Sequence, residues 1–460
     1  MTGFAEKIYA SSPIFIQNLL VSLMGYKLYY RRYTGSVQAQ IWRDLERIAS
    51  MNRQQIESFQ NERLAAMIKH CAAHVPYYQQ LFATHGIQPS DINGIADLHK
   101  LPVLKKDEVR KYTEQFRSTA ASPFMVQNTS GTTGTPLSLW VDEYTYKLAM
   151  ALLVQHEKNY GVEFGERRAT FAGRMIQPIS SMKPPFSRYN RAENQRIFSS
   201  YHLNTKTFGF YERELNKFAP KEIIGYPSSI YELAFQYKQH NKKPAFKPTA
   251  IITNSETLLG WQRELIEQVF DVQIRDYYGT AEYITFAGQC SHGHYHLNPL
   301  LGITEITDDN GVAVTDVEGI VTTTTLTNYA MPLLRYQIGD RAALSLSACP
   351  CGDATAHLTH VLGRMDDVVI TSQGTKIGRL DHIFKGSLAI KEAQIVQKSP
   401  TLCQVRVVKA DANTTLDLDA IKTNLIERTA TDMQVEVLLV DQIEKTKAGK
   451  FKGVINEMLR

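Results

Sequence analysis

The chain has 460 residues, which exceeds one ordinary domain, and its 43% hydrophobic and 21% charged residues are typical of a soluble globular protein. The 51 basic and 46 acidic residues give a net charge of +5, and no run of lysines or arginines forms a stripe for nucleic acid. Five unevenly spaced cysteines exclude a disulfide framework, and no secretory signal opens the chain, so a cytoplasmic protein is expected.

An apolar segment at residues 14–24 is followed by several tyrosines and by Lys27, Arg31 and Arg32. The segment is shorter than the roughly 20 apolar residues that cross a bilayer, and two amide side chains interrupt it. Two interpretations stay open at this point. The segment is a helix packed on the body of the protein, or it is an interfacial helix that gives peripheral membrane contact through residues 14–32.

The rest of the chain predicts a layered α/β protein. Residues 41–70 have apolar side chains at helical spacing, and residues 76–104 contain the prolines and glycines of short helices and loops. Strand-like and helix-like segments then alternate up to about residue 330, with a β-rich stretch at 303–345. After residue 363 the pattern restarts as a compact α+β module. Such alternation favours sheets flanked by helices.

A Ser/Thr/Gly loop occupies residues 128–136, between strand-like segments at 124–126 and 137–141. Glycines let a backbone approach a ligand closely, and successive N–H groups and hydroxyls then donate to phosphate oxygens. Because both flanking segments are strand-like, the loop is expected to join two strands, unlike the strand-to-helix P-loop, whose Gly-Lys-Ser/Thr end is also absent. The predicted nucleotide-binding residues of this loop are Thr129, Ser130, Gly131, Thr132, Thr133 and Gly134.

A second candidate segment, Asp-Tyr-Tyr-Gly-Thr-Ala-Glu at residues 276–282, follows a predicted strand. Loops at the carboxyl ends of strands are where α/β sheets bind ligands. Tyr278, with Gly279 and Thr280, is predicted to lie against the nucleotide. Glu282 supplies the hard carboxylate oxygen that Mg²⁺ prefers.

Three more segments complete the pattern: Arg-Tyr-Gln-Ile-Gly-Asp-Arg at 335–341, Gly-Arg-Met-Asp-Asp at 363–367 and Lys-Thr-Lys-Ala-Gly-Lys-Phe-Lys at 445–452. With the two preceding segments they resemble, in the same order, the motifs of the adenylate-forming superfamily of acyl-CoA synthetases and adenylation domains. Leu137 stands where the first motif usually ends in lysine, and Ile338 replaces the usual threonine of the third. The first departure resembles the phenylacetate–CoA ligase branch.

The resemblance implies a fold and a division of the chain. It implies a large N-terminal domain of several layers and a small, mobile α+β C-terminal domain. We expect an N-terminal helical region at 1–100, a large ATP- and acid-binding domain at 101–363 and the small domain at 364–460.

The resemblance also implies a reaction and residue roles. The reaction is ATP-dependent adenylation of a carboxylate, giving acyl-AMP and pyrophosphate, followed by acyl transfer to coenzyme A or to another thiol or amine. Glu282 is the expected magnesium ligand, Asp340 and Arg364 bind the nucleotide sugar, Asp366 is the hinge, and Lys450 bridges the carboxylate and the α-phosphate. The alternative is a non-catalytic nucleotide-binding or assembly protein that kept the fold.

Shorter sequence runs resemble members of this branch that are associated with capsular polysaccharide genes, so polysaccharide biosynthesis is the expected setting. By the same resemblance, Arg174, His202 and Tyr226 are candidates for the acyl pocket. Each of the three fits an ordinary structural role equally well.

Two cysteine clusters, around residues 290–296 and 349–351, have the spacing of a closed tetrahedral zinc site. The arrangement resembles one that phenylacetate–CoA ligase-like proteins often have, and this resemblance favours His296 over His292 and His294 as the nitrogen ligand. Unmetallated thiols are the alternative. The expected ligands of this structural Zn²⁺ are Cys290, His296, Cys349 and Cys351.

Overall fold

The computed structural model describes residues 9, 11–128, 137–178, 180–364, 368–377, 380–384, 390–410, 415–446 and 449–459. Within these ranges, the side chains of five residues are not described: Arg364, Lys376, Asp381, His382 and Leu459.

The described α-helices are α1 (Ile14–Tyr33), α2 (Ser36–Ala49), α3 (Arg53–His74), α4 (Pro76–His85), α5 (Lys106–Lys111), α6 (Glu143–Asn159), α7 (Phe208–Phe218), α8 (Pro227–Gln239), α9 (Gly260–Phe270) and α10 (Leu418–Arg428). Short 3₁₀ helices cover Pro89–Asp91, Ile95–Lys100, Thr113–Phe116, Arg191–Glu193, Leu380–Phe384 and Glu457–Leu459. Within the described ranges, no helix combines the length and the apolar character needed to cross a membrane.

The strands are β1 (Met125–Asn128), β2 (Ser138–Val141), β3 (Arg168–Phe171), β4 (Ser187–Asn190), β5 (Gln195–Phe198), β6 (Glu222–Gly225), β7 (Ala250–Thr253), β8 (Ile274–Gly279), β9 (Phe286–Gln289), β10 (Tyr295–Leu297), β11 (Gly302–Thr307), β12 (Ala313–Val314), β13 (Glu318–Thr325), β14 (Tyr336–Ser345), β15 (His357–Arg364), β16 (Val369–Ile370), β17 (Lys376–Ile377), β18 (Ile390–Ser399), β19 (Leu402–Lys409), β20 (Gln434–Leu439) and β21 (Val454–Asn456).

The chain divides into two compact units. Unit one comprises residues 1–27, 160–274 and 362–460, and unit two comprises residues 28–159 and 275–361. Unit one therefore joins the C-terminal module to the middle of the chain. The three-segment division expected from the sequence stays a prediction.

In unit one, strands are ordered β4-β5-β3-β6-β7, with β3, β5, β6 and β7 parallel and β4 an antiparallel edge. Every position of β3, β6 and β7 is buried, as expected for parallel strands covered on both faces. Phe171, Gly225 and Thr253 are aligned at the carboxyl ends of these strands. The loops that follow the three strands therefore begin at one edge of the sheet.

The C-terminal module of unit one has a four-stranded sheet, ordered β20-β19-β18-β21, and the two-stranded pair β16-β17. Helix α10 begins after Asp417, whose side chain accepts from Ala420 N and caps the helix. Its buried Ile421 and Leu425 join the core of this sheet. Strand β21 pairs in parallel with β18, so the segment just before β21 is fixed at its C-terminal end.

In unit two, the strands are ordered β12-β11-β13-β14-β15-β10-β9-β8. The pairs β11-β13, β13-β14, β9-β10 and β8-β9 are antiparallel. One apolar core combines α3 and α4 with this sheet and includes Leu64, Ile68, Ile303, Val321 and Tyr336. A second cluster joins α2 and α6.

The α/β fold class is confirmed, with sheets flanked by helices. The prediction that the Ser/Thr/Gly loop joins two strands is also confirmed, because β1 and β2 pair antiparallel on either side of it. The helical stretch expected at 41–70 is instead two helices, α2 and α3. Asn52 divides them because it forms a capping box with Gln55 at the start of α3.

Candidate active site

Tyr278 and Asp340 meet in unit two. Tyr278 lies near the end of β8, and its hydroxyl donates to Asp340 Oδ2 at 2.7 Å. Asp340 follows Gly339 on β14, where a φ of 93° bends the strand in a conformation that favours glycine. Two residues assigned to the nucleotide by resemblance are therefore in contact, although 62 positions separate them.

Glu282 is buried next to this pair of strands. Lys106 Nζ, at the start of α5, lies 3.3 Å from Glu282 Oε1, and the Tyr336 hydroxyl donates to the same oxygen at 3.4 Å. Burial, and then the Glu282 charge, raise the pKa of Tyr336, so its hydroxyl stays protonated. Thr280 presents a buried hydroxyl that has no hydrogen-bond partner among the described residues. These groups bring together one buried carboxylate, one lysine and one hydroxyl donor without a partner among the described residues.

The glycine-rich loop and the hinge lie outside the described residues. Asn128 and Ser138, at the two ends of the loop, are linked by a 2.8 Å hydrogen bond from Ser138 Oγ to Asn128 Oδ1. Arg364 ends β15, but its side chain is not described. The predicted residues outside the described part are Thr129, Ser130, Gly131, Thr132, Thr133, Gly134 and Asp366.

Lys450 lies in unit one, over the loop that follows β6. Its Nζ is 5.8 Å from the centroid of the Tyr226 ring, within the range of a cation–π contact. The turn before it is closed by Thr446, whose N–H donates to Lys450 O at 2.9 Å and whose Oγ1 accepts from Lys450 N at 3.1 Å. The structure thus brings together the C-terminal lysine and one of the three candidate acyl-pocket residues.

Gly449 lets this turn approach the body of unit one. It has a φ of 75°, and a Cβ at this position would lie 2.7 Å from the Tyr201 hydroxyl and 3.1 Å from Gly173 Cα. Any larger residue would push the turn away from these two neighbours. The glycine preceding Lys450 therefore sets how closely the lysine approaches Tyr226.

Glu256 holds the other side of the lysine turn. Its Oε1 accepts from Phe451 N at 2.7 Å and from Ser228 Oγ at 3.2 Å, and its Oε2 accepts from Ser228 N at 3.1 Å. Ser228 lies in the first turn of α8, where backbone N–H groups favour a negative charge. Burial raises the pKa of Glu256, and these hydrogen bonds oppose the rise only in part. We call Tyr201, Tyr226, Ser228 and Glu256 the lysine seat.

His202 and Arg174 differ from Tyr226. His202 is buried, with Nδ1 2.7 Å from Ser199 Oγ and Nε2 3.2 Å from Pro178 O, so both ring nitrogens already have partners. Arg174 is exposed. Tyr226 contacts the lysine of the C-terminal turn, and roles in acid binding stay predictions for all three candidates.

The predicted metal ligands come together in unit two. One ligand atom from each of Cys290, His296, Cys349 and Cys351 lies within 4.8 Å of all the others. The Cys290 and Cys349 sulfurs are 3.9 Å apart, and His296 Nε2 is 3.2 Å from Cys351 Sγ. Sulfurs of a tetrahedral zinc site with Zn–S bonds of about 2.3 Å lie about 3.8 Å apart, so the donor set fits zinc.

The surroundings of His296 also suit a metal ligand. Its other nitrogen, Nδ1, lies 3.0 Å from Thr355 Oγ1 and 3.4 Å from Asp353 Oδ1, an arrangement that fixes the ring with Nε2 toward the sulfurs. His294 Nδ1 is 3.3 Å from Cys349 Sγ and remains a rival, whereas His292 is exposed.

Comparison with known proteins gives matches along the whole chain. Residues 369–457 match the family described as the CapK C-terminal domain. Protein CapK of Staphylococcus aureus is 28% identical over 458 residues, which cover 98% of this chain and 99% of that protein. A phenylacetate-coenzyme A ligase of Thermus thermophilus is 24% identical over 353 residues, or 70% of this chain and 73% of that protein.

The fold agrees with these matches. The structure of 2-hydroxyisobutyryl-CoA ligase in the postadenylation state, in complex with R3-HIB-AMP, superimposes with a TM-score of 0.71. The match covers 90% of this chain and 92% of that one at 18% identity, so it shows a common fold. In sequence and in fold, this chain is therefore similar to adenylate-forming ligases. The predicted family and the predicted enzyme class, a ligase, are confirmed.

The sequence motifs predict few of the groups around Glu282 and Lys450. Lys106 and Glu256 were not predicted. Lys106 belongs to no motif, and no signal in the sequence alone indicates its contact with Glu282. Glu256 had a usable signal, because it is an acidic residue three positions after the buried strand β7, at the edge where parallel sheets bind ligands.

Proposed function

We propose that this chain is an ATP-dependent adenylate-forming ligase that activates a carboxylic acid and transfers the acyl group to coenzyme A or to another thiol or amine. The single observation that carries the proposal is the lysine seat. A lysine from the end of the chain lies over Tyr226, and its turn is fixed by Glu256. A non-catalytic nucleotide-binding protein has no need of such a placed cation.

In the first step, a carboxylate oxygen of the acid attacks the α-phosphorus of ATP. A new P–O bond forms, the bond from the α-phosphorus to the bridging oxygen breaks, and pyrophosphate leaves. Both reactants are anions, so a cation between them reduces their repulsion as charge builds up on the α-phosphate. Lys450 is proposed to supply that cation.

Glu282 is proposed to hold Mg²⁺ on the phosphates. Its buried carboxylate is next to Lys106, and the nearby Thr280 hydroxyl has no partner among the described residues. This set of a hard oxygen ligand and a free donor fits a hydrated magnesium ion. When bound, the ion supplies positive charge to the triphosphate. By resemblance, the loop at 129–134 binds the phosphates, and Asp340 and Arg364 bind the ribose.

In the second step, the acceptor attacks the carbonyl carbon of the acyl-adenylate, a thioester or amide forms, and AMP leaves. We propose that the C-terminal module turns about Asp366 between the steps, so that Lys450 moves away and another face meets the acceptor. We propose a cytoplasmic location, because the five cysteines form no disulfide and therefore suit a reducing environment.

ATP–pyrophosphate exchange tests the activity. The purified protein is assayed with aryl acids, fatty acids, amino acids and uronic acids. Exchange with one class identifies the substrate class and establishes adenylation. Tight ATP binding without exchange for any acid supports the non-catalytic alternative, and an absence of ATP binding refutes the proposal.

Lys450→Ala tests the role of the seat. The variant is expected to bind ATP normally and to lose exchange by at least about 100-fold, because one preorganised charge is removed from the transition state. Lys452→Ala is the matched control, because Lys452 is also basic but contributes its backbone carbonyl to Gln394 at 2.9 Å. Equal losses in both variants would contradict a specific role for Lys450.

We further propose a role in polysaccharide biosynthesis, supported by the resemblance to capsule-associated members and by the similarity to Protein CapK along 98% of the chain. Exchange with uronic acids, or acyl transfer to an amino sugar, would support this role. Exchange with aryl acids and transfer to coenzyme A alone would point instead to an aryl-CoA ligase.

We also propose that Cys290, His296, Cys349 and Cys351 bind a structural Zn²⁺. Four protein ligands close the site, so it stabilises unit two rather than acting in catalysis. His296→Ala is expected to lose the bound zinc and to lower the melting temperature by several degrees. His292→Ala is the control, and His294→Ala tests the rival ligand. Metal analysis that finds zinc unchanged in His296→Ala would refute the ligand set.

A further inference from the structure

Helix α1 has its polarity reversed with respect to an ordinary surface helix. An amphipathic helix normally buries its apolar face and exposes its polar one. In α1 the residues buried against the protein are Gln17 and Gly25. The large apolar side chains are exposed instead: Phe15, Leu19, Leu20, Leu23, Met24, Tyr26 and Tyr30.

Hydrogen bonds fix the inner face of α1 to β4. Gln17 Oε1 accepts from the buried Arg188 Nε at 2.7 Å, and Asn18 Oδ1 accepts from Tyr189 N at 3.0 Å. The two amides that interrupt the apolar segment in the sequence are therefore the groups that dock the helix. They accept hydrogen bonds from donors of unit one, and burying those donors without a partner would cost free energy.

The next turn continues this contact. Ser22 Oγ donates to Tyr189 O at 3.2 Å and accepts from Arg191 N at 3.1 Å. At Gly25 a Cβ would lie 2.0 Å from Asn190 Oδ1, so the helix packs too closely for a side chain there. The docking is thus polar and close along the inner face of the helix.

The exposed apolar residues form one stripe. Phe15, Leu19, Leu23, Tyr26 and Tyr30 follow one another at intervals of three or four positions, so they line one side of the helix. Phe15 is 72% exposed, and Leu19 and Leu23 are each 56% exposed. Contiguous exposed apolar surface of this kind marks a site for a partner or a membrane.

Charge distinguishes between these two occupants. Residues 14–33 contain no Asp or Glu, Lys27 lies on the exposed side of the helix, and Arg191 is exposed next to Ser22. In a symmetric dimer the same face of two chains would meet, and a face with cations and no acids forms no ion pairs with its copy. It complements anionic lipid headgroups, into which its leucines, phenylalanine and tyrosines insert.

We infer that α1 lies in the interface of an anionic membrane and attaches the protein to that surface without crossing it. This inference does not depend on the proposed reaction. It gives a physical reason for the interfacial alternative that the sequence left open.

Co-sedimentation with vesicles tests the inference. The full-length protein is mixed with vesicles of phosphatidylcholine alone or of phosphatidylcholine with phosphatidylglycerol. The wild type is expected to bind the anionic vesicles, and the triple variant Phe15→Ser/Leu19→Ser/Leu23→Ser is expected to bind them at least about tenfold more weakly. Leu438→Ser/Leu439→Ser, two exposed leucines on β20, is the control and should bind like the wild type.

Three results would overturn the inference. They are no binding of the wild type to anionic vesicles, equal binding of the triple variant, and a dimer in analytical ultracentrifugation that the triple variant converts to a monomer. The third result would assign the face to a second copy of the chain. Circular dichroism of all variants verifies folding, and the substituted residues are exposed, so a loss of structure is not expected.

Discussion

Two carboxylates, Glu256 in unit one and Glu282 in unit two, are held in different ways. Among the described residues, the hydrogen bonds to Glu256 come from neutral donors, which are the Ser228 hydroxyl and the N–H groups of Ser228 and Phe451. Glu282 instead lies 3.3 Å from Lys106 Nζ. The first arrangement fixes a turn of the backbone through its geometry, whereas the second pairs the carboxylate with a lysine. The roles proposed for the two residues, a structural one for Glu256 and a metal ligand for Glu282, follow from this difference in partners.

Of the two carboxylates, Glu282 is expected to give the larger effect, in the variant Glu282→Gln. The amide keeps the size of the side chain but loses the negative oxygen, so Mg²⁺ binds more weakly. ATP–pyrophosphate exchange should fall about 100-fold, and the magnesium concentration for half-maximal exchange should rise. Titration with MgCl₂ measures both. Lys106→Met keeps the carboxylate and should have a smaller effect, and an unchanged magnesium dependence in Glu282→Gln would contradict the assignment.

A smaller, step-specific effect is expected for Glu256→Gln. The amide oxygen can still accept from Phe451, but the NH₂ group then faces the Ser228 N–H, donor against donor. The lysine turn is held less firmly, and exchange should fall about tenfold, which is about 1.4 kcal/mol. Acyl transfer from a pre-formed acyl-adenylate should be unchanged, because the role proposed for Lys450 is in adenylation.

Glu232→Gln is the matched control for that variant. Glu232 also joins the middle of unit one to the C-terminal module, through an ion pair of 3.0 Å with Lys391. Among the described residues, Glu232 also accepts a hydrogen bond from Gln236, and neither Lys391 nor Gln236 lies in the lysine turn. If both variants slow exchange equally, attachment of the module matters in general and the seat has no special role.

The smallest effect is a pH dependence. Burial raises the pKa of Glu256 above 4.5 in the folded protein. A carboxyl with a raised pKa adds stability below its unfolded pKa, and this contribution is lost as the pH rises through the folded pKa. The Glu256→Gln variant has no carboxyl group at this position that could titrate. The free energy of unfolding of the wild type minus that of the variant should therefore decrease from acidic to neutral pH, as measured by urea denaturation. A constant difference would contradict the raised pKa.

The sequence predicted those parts of the fold and site that depend on neighbouring residues. Two cysteines separated by one residue, together with a distant Cys/His cluster, indicate a metal site. The four predicted ligands do come together. Tyr278 and Asp340 were assigned by motif, and they are hydrogen-bonded. The α/β class followed from the alternation of strands and helices.

The remainder depends on contacts between distant segments, which local patterns do not encode. Lys106 reaches Glu282 across 176 positions, and Glu256 reaches Phe451 across 195. His202 looked like a pocket residue, yet its ring is enclosed by Ser199 and Pro178. The sequence also did not predict the reversed polarity of α1. The same residues fit a helix packed on the protein as long as the directions of their side chains are unknown.

The hydrogen bond between Tyr278 and Asp340 has a consequence for nucleotide recognition. When a carboxylate side chain binds a sugar, it loses rotational entropy, and this loss opposes binding. Here the phenol already holds one oxygen of Asp340 in position. In the proposed complex, the ribose would meet a carboxylate whose orientation is set in advance, so less rotational entropy would be lost when the nucleotide binds.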